Sequence, residues 1–335
     1  MMSTTSRRTA FFAIGLLLAL WAIRVSAEAV KSSVWVANED GDSVTVIDAS
    51  TNTVTKTITG IMGPHNVQVA PDRKTVWTTS GHANEVVVID AATYQVRERI
   101  TVGKEPAHVV LTADGRLAYV SNEADNTVSV IDAAAMKALT TIPVGKGPHG
   151  LRPSPNGREV YVADGMDTKL SVIDVTTNKR VADIEVGTHP VQVGFSPDGQ
   201  SVYFSLNGEN AAGKVEVATR KMVGKVAVGR GPIQVFVTPD NKILLVANQG
   251  TKANPENTVS MIDTAHFTVA GTVKTDKGPH GVAIDGDGRF AYITNTFADS
   301  VSVIDVAKRT VVATVPVGKG PNGISVSSPG AAGTR

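Results

Sequence analysis

The sequence contains no cysteine, which excludes a disulfide framework, thiolate metal sites and a cysteine nucleophile together. Aromatic residues make up only 5% of it, and its charges nearly cancel, 32 Lys and Arg against 31 Asp and Glu. A formal net charge of +1 gives no global attraction to nucleic acid or anionic membrane, so any electrostatic role has to come from local patches. No segment holds a sustained 3.6-residue apolar period, which leaves little room for helices. Beyond Ile23 no apolar stretch is long enough for a bilayer span. A Gly-x-Ser-x-Gly, a His-Glu-x-x-His and a phosphate loop are all missing as well.

What the chain does contain is a period. Gly-x-x-Pro, or a close variant, ends at Pro64, Pro106, Pro148, Pro190, Pro232, Pro279 and Pro321, so the steps are 42, 42, 42, 42, 47 and 42 residues. A constant step near 42 marks an array of one supersecondary unit. After Pro106 the unit reads His108–Leu111, a turn at Asp114-Gly115, Leu117–Asn122, Thr127–Asp132 and Ala138–Val144. Short runs rich in Val, Ile, Tyr and Thr, broken by Asp-Gly or Asn-Gly about every ten residues, are strands of a meander. Four strands in each of seven units predict an all-β, seven-bladed β-propeller of four-stranded antiparallel blades. The first strand, Val34–Asn38, matches the second strand of the other units, and the missing innermost strand stands at the far end, Gly323–Ser327. The C-terminal strand is therefore expected to complete the N-terminal blade and close the ring.

Before the first unit, Arg7 and Arg8 precede an apolar run from Ala10 to Ile23 and then Val25-Ser26-Ala27. This is the pattern of a secretory signal peptide, residues 1–27. The propeller is expected over 28–328, with a disordered tail over 329–335, and the protein is expected to be periplasmic or secreted.

The strings Val160-Tyr-Val-Ala-Asp164, Asn126–Asp132 and Val315–Pro321 resemble the YVTN-repeat β-propeller family, which includes YncE-like periplasmic proteins. The resemblance covers nearly all of the chain after residue 27. It implies the fold and leaves the activity open, because one fold hosts many activities.

Residues that recur blade by blade are read as structural. The column Trp35, Trp77, Tyr119, Tyr161, Tyr203 and Tyr292 is expected to pack between blades. The column Asp48, Asp90, Asp132, Asp174, Asp263 and Asp305 forms turns, since a catalytic set needs unlike groups that converge. Function is sought where the repeat is broken. By the usual propeller path, which the resemblance supplies, the residues after each proline sit at one mouth of the central channel. Four of them are His65, His108, His149 and His280. They are read either as tolerated variants of the turn or as a metal site for copper or zinc, with the first three, from consecutive blades, the strongest set. Two residues before the prolines stand Lys104, Lys146, Arg230, Lys277 and Lys319, a candidate ring of cations for an anionic ligand or a single nucleic-acid strand.

The leading expectation is a monomeric, non-catalytic propeller that binds a small ligand or a protein partner on its channel-mouth face. Metal binding through the four histidines and a lyase or lactonase activity on the same face stand as alternatives. The longer 47-residue step is expected to be a protruding loop within Gly250–Glu256 on that face.

Overall fold

The second strand of each unit is buried along nearly its whole length, as in Leu117–Asn122 and Glu159–Asp164, because blades cover it on both faces. The outermost strands bury at most one residue each. Val96–Thr101 buries Ile100 alone and turns Arg97, Glu98 and Arg99 to solvent, which protects an open edge from pairing with another chain. The computed structural model describes residues 32–327, so the expected signal peptide and tail lie outside the described residues.

Within that span the strands form seven four-stranded antiparallel sheets. Blade 1 joins Pro321–Ser327 to Ser33–Asn38, Ser43–Asp48 and Thr53–Thr59, with Ser33 opposite Ser327 and Val36 opposite Ile324. The expected closure is therefore the observed one. The inner strands of blades 2 to 7 are Val67–Val69, Pro106–Leu111, Pro148–Pro153, Pro190–Phe195, Pro232–Val237 and Pro279–Ile284. Each inner strand touches those of both neighbouring blades, and the ring is complete.

Seven apolar clusters fill the spaces between blades. Trp35 of blade 1 packs with Val67, Val76 and Val87 of blade 2, and Tyr161 of blade 4 with Val193 and Phe204 of blade 5. The aromatic column thus joins neighbouring blades, as its recurrence requires. The aspartate column caps turns: Asp90 Oδ1 accepts from the backbone N–H groups of Ala92 and Thr93, and Asp132 Oδ1 from those of Ala134 and Ala135.

Two departures from expectation concern the loops. The connections between second and third strands include three short 3-10 turns, Glu39–Gly41, Gly81–Ala83 and Asn207–Glu209. The insertion in blade 6 is a hairpin extension, not an irregular loop. Strands Ile243–Gly250 and Pro255–Asp263 continue to the Gly250–Pro255 pair, and Thr251 and Asn254 exchange backbone hydrogen bonds at the tip.

The residue before each inner-strand proline is left-handed. Gly63, Gly147, Gly231, Gly278 and Gly320 adopt φ from 55° to 73°, while Glu105 and His189 take the same conformation at φ 50° and 53°. A Cβ in that region costs about 1–2 kcal/mol, and the exposed His189 side chain does nothing visible to offset it. His189→Gly is expected to raise stability by about 0.5–1 kcal/mol after the greater entropy of glycine in the unfolded chain is deducted. A higher urea midpoint at unchanged m-value is the expected reading.

Candidate metal centre at the channel mouth

In blades 3 to 7 the inner strand slips by one residue against its neighbour just after the proline. Pro106 pairs with Asn122 and Pro148 with Asp164, but pairing resumes at Val109 and Leu151 one register later. The residues between, Ala107–His108, His149–Gly150 and His280–Gly281, leave the ladder at a bulge, which re-aims their side chains. In blade 2 the strand begins only at Val67, so His65 and Asn66 lie outside it altogether.

Hydroxyls from the second strands take over the freed backbone groups. Ser121 Oγ accepts the N–H of His108 at 3.0 Å and donates to the carbonyl of His149 in the next blade at 2.5 Å. Thr79 does the same between Asn66 and Ala107, Ser205 between Gln192 and Ile233, and Thr294 between Gly281 and Asn322. At the equivalent positions of blades 1, 4 and 6 stand Ala37, Ala163 and Ala247. Between blades 1 and 2 the backbone makes the link directly, Gly323 N–H donating to the carbonyl of His65 at 2.9 Å. The mouth is therefore a fixed rim, on which the histidines are preorganised.

On this rim His65, His108 and His149 each offer a ring nitrogen, all within 4.8 Å of one another. The His65 and His149 rings meet edge to face with Nε2 to Nε2 at 3.0 Å. His108 lies 4.8 Å from His149 and 5.6 Å from His65 between ring centroids, and His280 stands 6.0 Å from His65. His108 is fully buried and neither of its ring nitrogens has a hydrogen-bond partner; the same holds for Nδ1 of His280.

The outer nitrogens fix the inner ones. His65 Nδ1 faces Glu39 Oε2 at 3.2 Å, and His149 Nδ1 faces the carbonyl of Val191 at 3.1 Å. The Val191 carbonyl can only accept, so His149 Nδ1 carries its proton. His65 Nδ1 stands between the Glu39 carboxylate and the Asn322 Nδ2 amide at 3.0 Å, and its ion pair with Glu39 keeps a proton on it. With His65 neutral the two Nε2 lone pairs would face each other across 3.0 Å; with His65 charged its Nε2–H donates to His149 Nε2. Only a proton or a metal cation between them relieves that contact. Two nitrogens bound to one tetrahedral zinc at about 2.0–2.1 Å would stand roughly 3.3 Å apart, close to the separation present.

Charge is distributed to match. Burial pulls Glu39 toward its neutral form, yet the charge of His65 and hydrogen bonds from His65 and Asn322 hold its carboxyl down at about 2. Burial disfavours a charged His65 in turn, but Glu39, by charge and hydrogen bond, and Glu123, by charge, raise it above the usual imidazole range. Burial and the charge of His65 take His149 down to about 3. Burial, reinforced by the neighbouring histidines, sends His108 and His280 well below 6.5. The centre thus holds one ion pair, His65 with Glu39, and three neutral imidazoles, so a metal bound by His65 would have to displace its Nε2 proton.

The other sequence candidates sort differently. Lys104, Lys146, Arg230, Lys277 and Lys319 all lie exposed in the turns ahead of the inner strands, each in a different blade. Arg230 is engaged by Glu256 at 2.7 Å, which clamps the blade 6 hairpin. Of the loop carboxylates only Glu39 and Glu123 bear on the histidines. Asp42, Asp125 and Asp299 instead accept backbone N–H groups of Gly63, Lys104 and Gly320. His266 pairs with Asp263 on an exposed turn. Asn322, whose Nδ2 donates to Glu39, and the Val191 carbonyl carry no family of signals in the sequence. The hydroxyl relay does leave one: Thr or Ser in place of Ala at the fifth residue of the second strand.

Fold and site together define a seven-bladed β-propeller with a histidine cluster at one end of its channel. The chain belongs to the family described as Lactonase, 7-bladed beta-propeller, whose model matches residues 31–226. A model for the Choice-of-anchor I domain matches residues 164–321. No curated protein matches the chain. Among solved structures, Kuenenia stuttgartiensis hydrazine synthase is 26% identical with a TM-score of 0.72, over 80% of this chain and 90% of that one. A functionally unknown protein from Desulfotomaculum acetoxidans is 16% identical with a TM-score of 0.78, over 89% and 99%. Dihydro-heme d1 dehydrogenase NirN in complex with DHE is 14% identical with a TM-score of 0.66, over 87% and 74%. The last two likenesses concern the fold alone.

Proposed function

We propose that this propeller binds a late first-row divalent metal, copper or zinc, through His65, His149 and His108 at the channel mouth. The observation that carries the reading is the pair of Nε2 atoms held 3.0 Å apart, with His149 Nδ1 against the Val191 carbonyl and His65 Nδ1 between Glu39 and Asn322. Histidine ligands of metals are oriented by such partners, a carboxylate or a backbone carbonyl on the other ring nitrogen. His108 completes a set of three nitrogen donors by moving inward roughly 1–1.5 Å, given zinc–nitrogen bonds of about 2.0–2.1 Å. His280, with its ring 6.0 Å from that of His65, would supply a fourth donor or line the approach. Such a centre serves an exported protein that captures or hands on a metal ion, or one that presents the ion to a ligand.

The test is calorimetric titration of the metal-stripped full chain with zinc and copper salts near neutral pH. One ion per chain is expected, at micromolar affinity or tighter. His149→Ala is expected to weaken it by at least tenfold, since even the loss of an orienting partner costs about 10–100-fold. His266→Ala, on the opposite face, is expected to change nothing. Absence of stoichiometric binding by the unaltered chain would leave the histidines as packing variants.

Family membership favours a second reading, hydrolysis of a lactone at the same centre. His65, His108 and His149 would leave a zinc ion one open position, at which the metal would supply an activated water. This reading expects acid release from small lactones by the metal-loaded chain. Equal behaviour of loaded and stripped chains would remove it.

A further inference from the structure

Three residues further along the inner strands than the first histidine layer, about 10 Å at 3.3 Å per residue, the channel carries a different set. The positions four after each proline are Gln68, Val110, Arg152, Gly194, Phe236, Ala283 and Ser325. They hold one cation and no acid. Arg152 reaches from blade 4 across the lumen: its Nη1 stands 3.5 Å from Gln68 Oε1 of blade 2, and its guanidinium lies 5.8 Å from the Phe236 ring centroid of blade 6. A cavity of about 280 Å³ surrounds it, walled by Phe236, Ile284, Ile324 and Val326.

Among the described residues the Arg152 guanidinium makes no ion pair, and its only side-chain hydrogen bond is the long one to Gln68. A guanidinium offers five donors and stays charged at neutral pH. Burial lowers this one to about 10, with no neighbouring carboxylate to counter the effect. Charges taken out of bulk water in folded proteins are paired, and the forked donor set of arginine fits a carboxylate with two parallel hydrogen bonds. The metal centre described above does not use this group.

We propose that the middle of the channel is a second binding site, in which Arg152 pairs with the carboxylate of a small organic acid whose apolar body lies against Phe236, Ile284, Ile324 and Val326. Gln68 Oε1 sets the plane of the guanidinium, and cation–π contact with Phe236 holds the side chain across the lumen. The volume suits a compact monocarboxylate rather than a long chain or a nucleotide. The site stands apart from the histidines, so it needs no bound metal.

The test uses the full chain in EDTA, which silences the metal centre, with benzoate, hexanoate and inorganic phosphate as probes in calorimetry and thermal-shift assays. Benzoate and hexanoate are expected to bind once per chain with sub-millimolar Kd and to raise Tm, and phosphate is expected to bind at least tenfold more weakly. Arg152→Gln should cut carboxylate affinity tenfold or more. Gln68→Glu provides a check should the first variant fold poorly. It places a carboxylate beside the guanidinium, so it should raise Tm without ligand and abolish binding. The proposal is overturned if neither organic acid binds at 10 mM (about a hundredfold above a 0.1 mM Kd, ample for a shift in Tm). It is equally overturned if phosphate binds as well as they do, or if both substitutions leave binding intact.

Discussion

A chain ending at Gly320 is expected to lose cooperative folding under conditions where a chain ending at Ser328 retains it. The missing strand, Pro321–Ser327, is the inner strand of blade 1 and pairs along Ser33–Asn38. It also links blades on both sides. Thr294 Oγ1 donates to the carbonyl of Asn322, Gly323 N–H donates to the carbonyl of His65, and Val69 N–H donates to Ser325 Oγ. Loss of the nearly buried Ile324 alone leaves a cavity worth about 2–5 kcal/mol. Each backbone group left unpaired in the core adds about 1–3 kcal/mol. Together these rival the 5–15 kcal/mol that typically separates a folded domain from its unfolded chain. The shorter chain should show an early, broad thermal transition by circular dichroism, or none. It should also lose metal binding, because Asn322 leaves with the strand and Glu39 loses a donor. Equal melting temperatures for the two chains would mean that the ring does not depend on this closure.

That the termini would meet was legible because the repeat is out of phase with the ends of the chain: the first strand matches a second strand elsewhere. A period of 42 residues with four β-runs leaves few folds open, and the aromatic and aspartate columns could be assigned to packing and turns because they recur. What sequence could not supply was the width of the mouth. His65 and His149 lie 84 residues apart, and whether two units of repeat bring them to 3.0 Å or leave them across a wide pore depends on the bulge after each proline and on the hydroxyls that hold it. The same limit applied to the acids. Glu39, Asp40 and Asp42 share one loop, but a 3-10 turn directs Glu39 to His65 while Asp42 accepts the N–H of Gly63. In blade 6 the extra residues kept the strands paired for longer, an outcome set by the Gly250–Pro255 pair and not by composition.

The repeat also exposes a position where this chain works against itself. The sixth residue of the second strand is Asn in blades 1, 3, 6 and 7, where the buried amide donates to two hydroxyls of the third strand, as Asn122 does to Thr127 and Ser129. Blade 4 has Asp164 there, fully buried. Burial pushes its carboxyl up to about 7; the Ser171 hydrogen bond works against this, and the charges of Asp167 and Asp183 add to it. In the unfolded chain the same group titrates near 3.9, as an ordinary aspartate does, at about that value. Between these two values the folded protein holds a proton that the unfolded chain has released. Stability therefore falls as pH rises from about 4 to 7 and levels off above, where the buried carboxylate is charged in both states. A shift of roughly three units corresponds to about 4 kcal/mol at most. Asp164→Asn keeps the shape and removes the charge, and its Nδ2 can donate to Ser171 as Asn122 does to Ser129. The variant is expected to be more stable than the parent by about 2–4 kcal/mol at pH 8 and nearly equal to it at pH 4. Urea melts across this range should show the parent losing stability with pH where the variant does not. A constant difference between the two chains at every pH would mean that Asp164 titrates normally and that its burial is relieved by solvent.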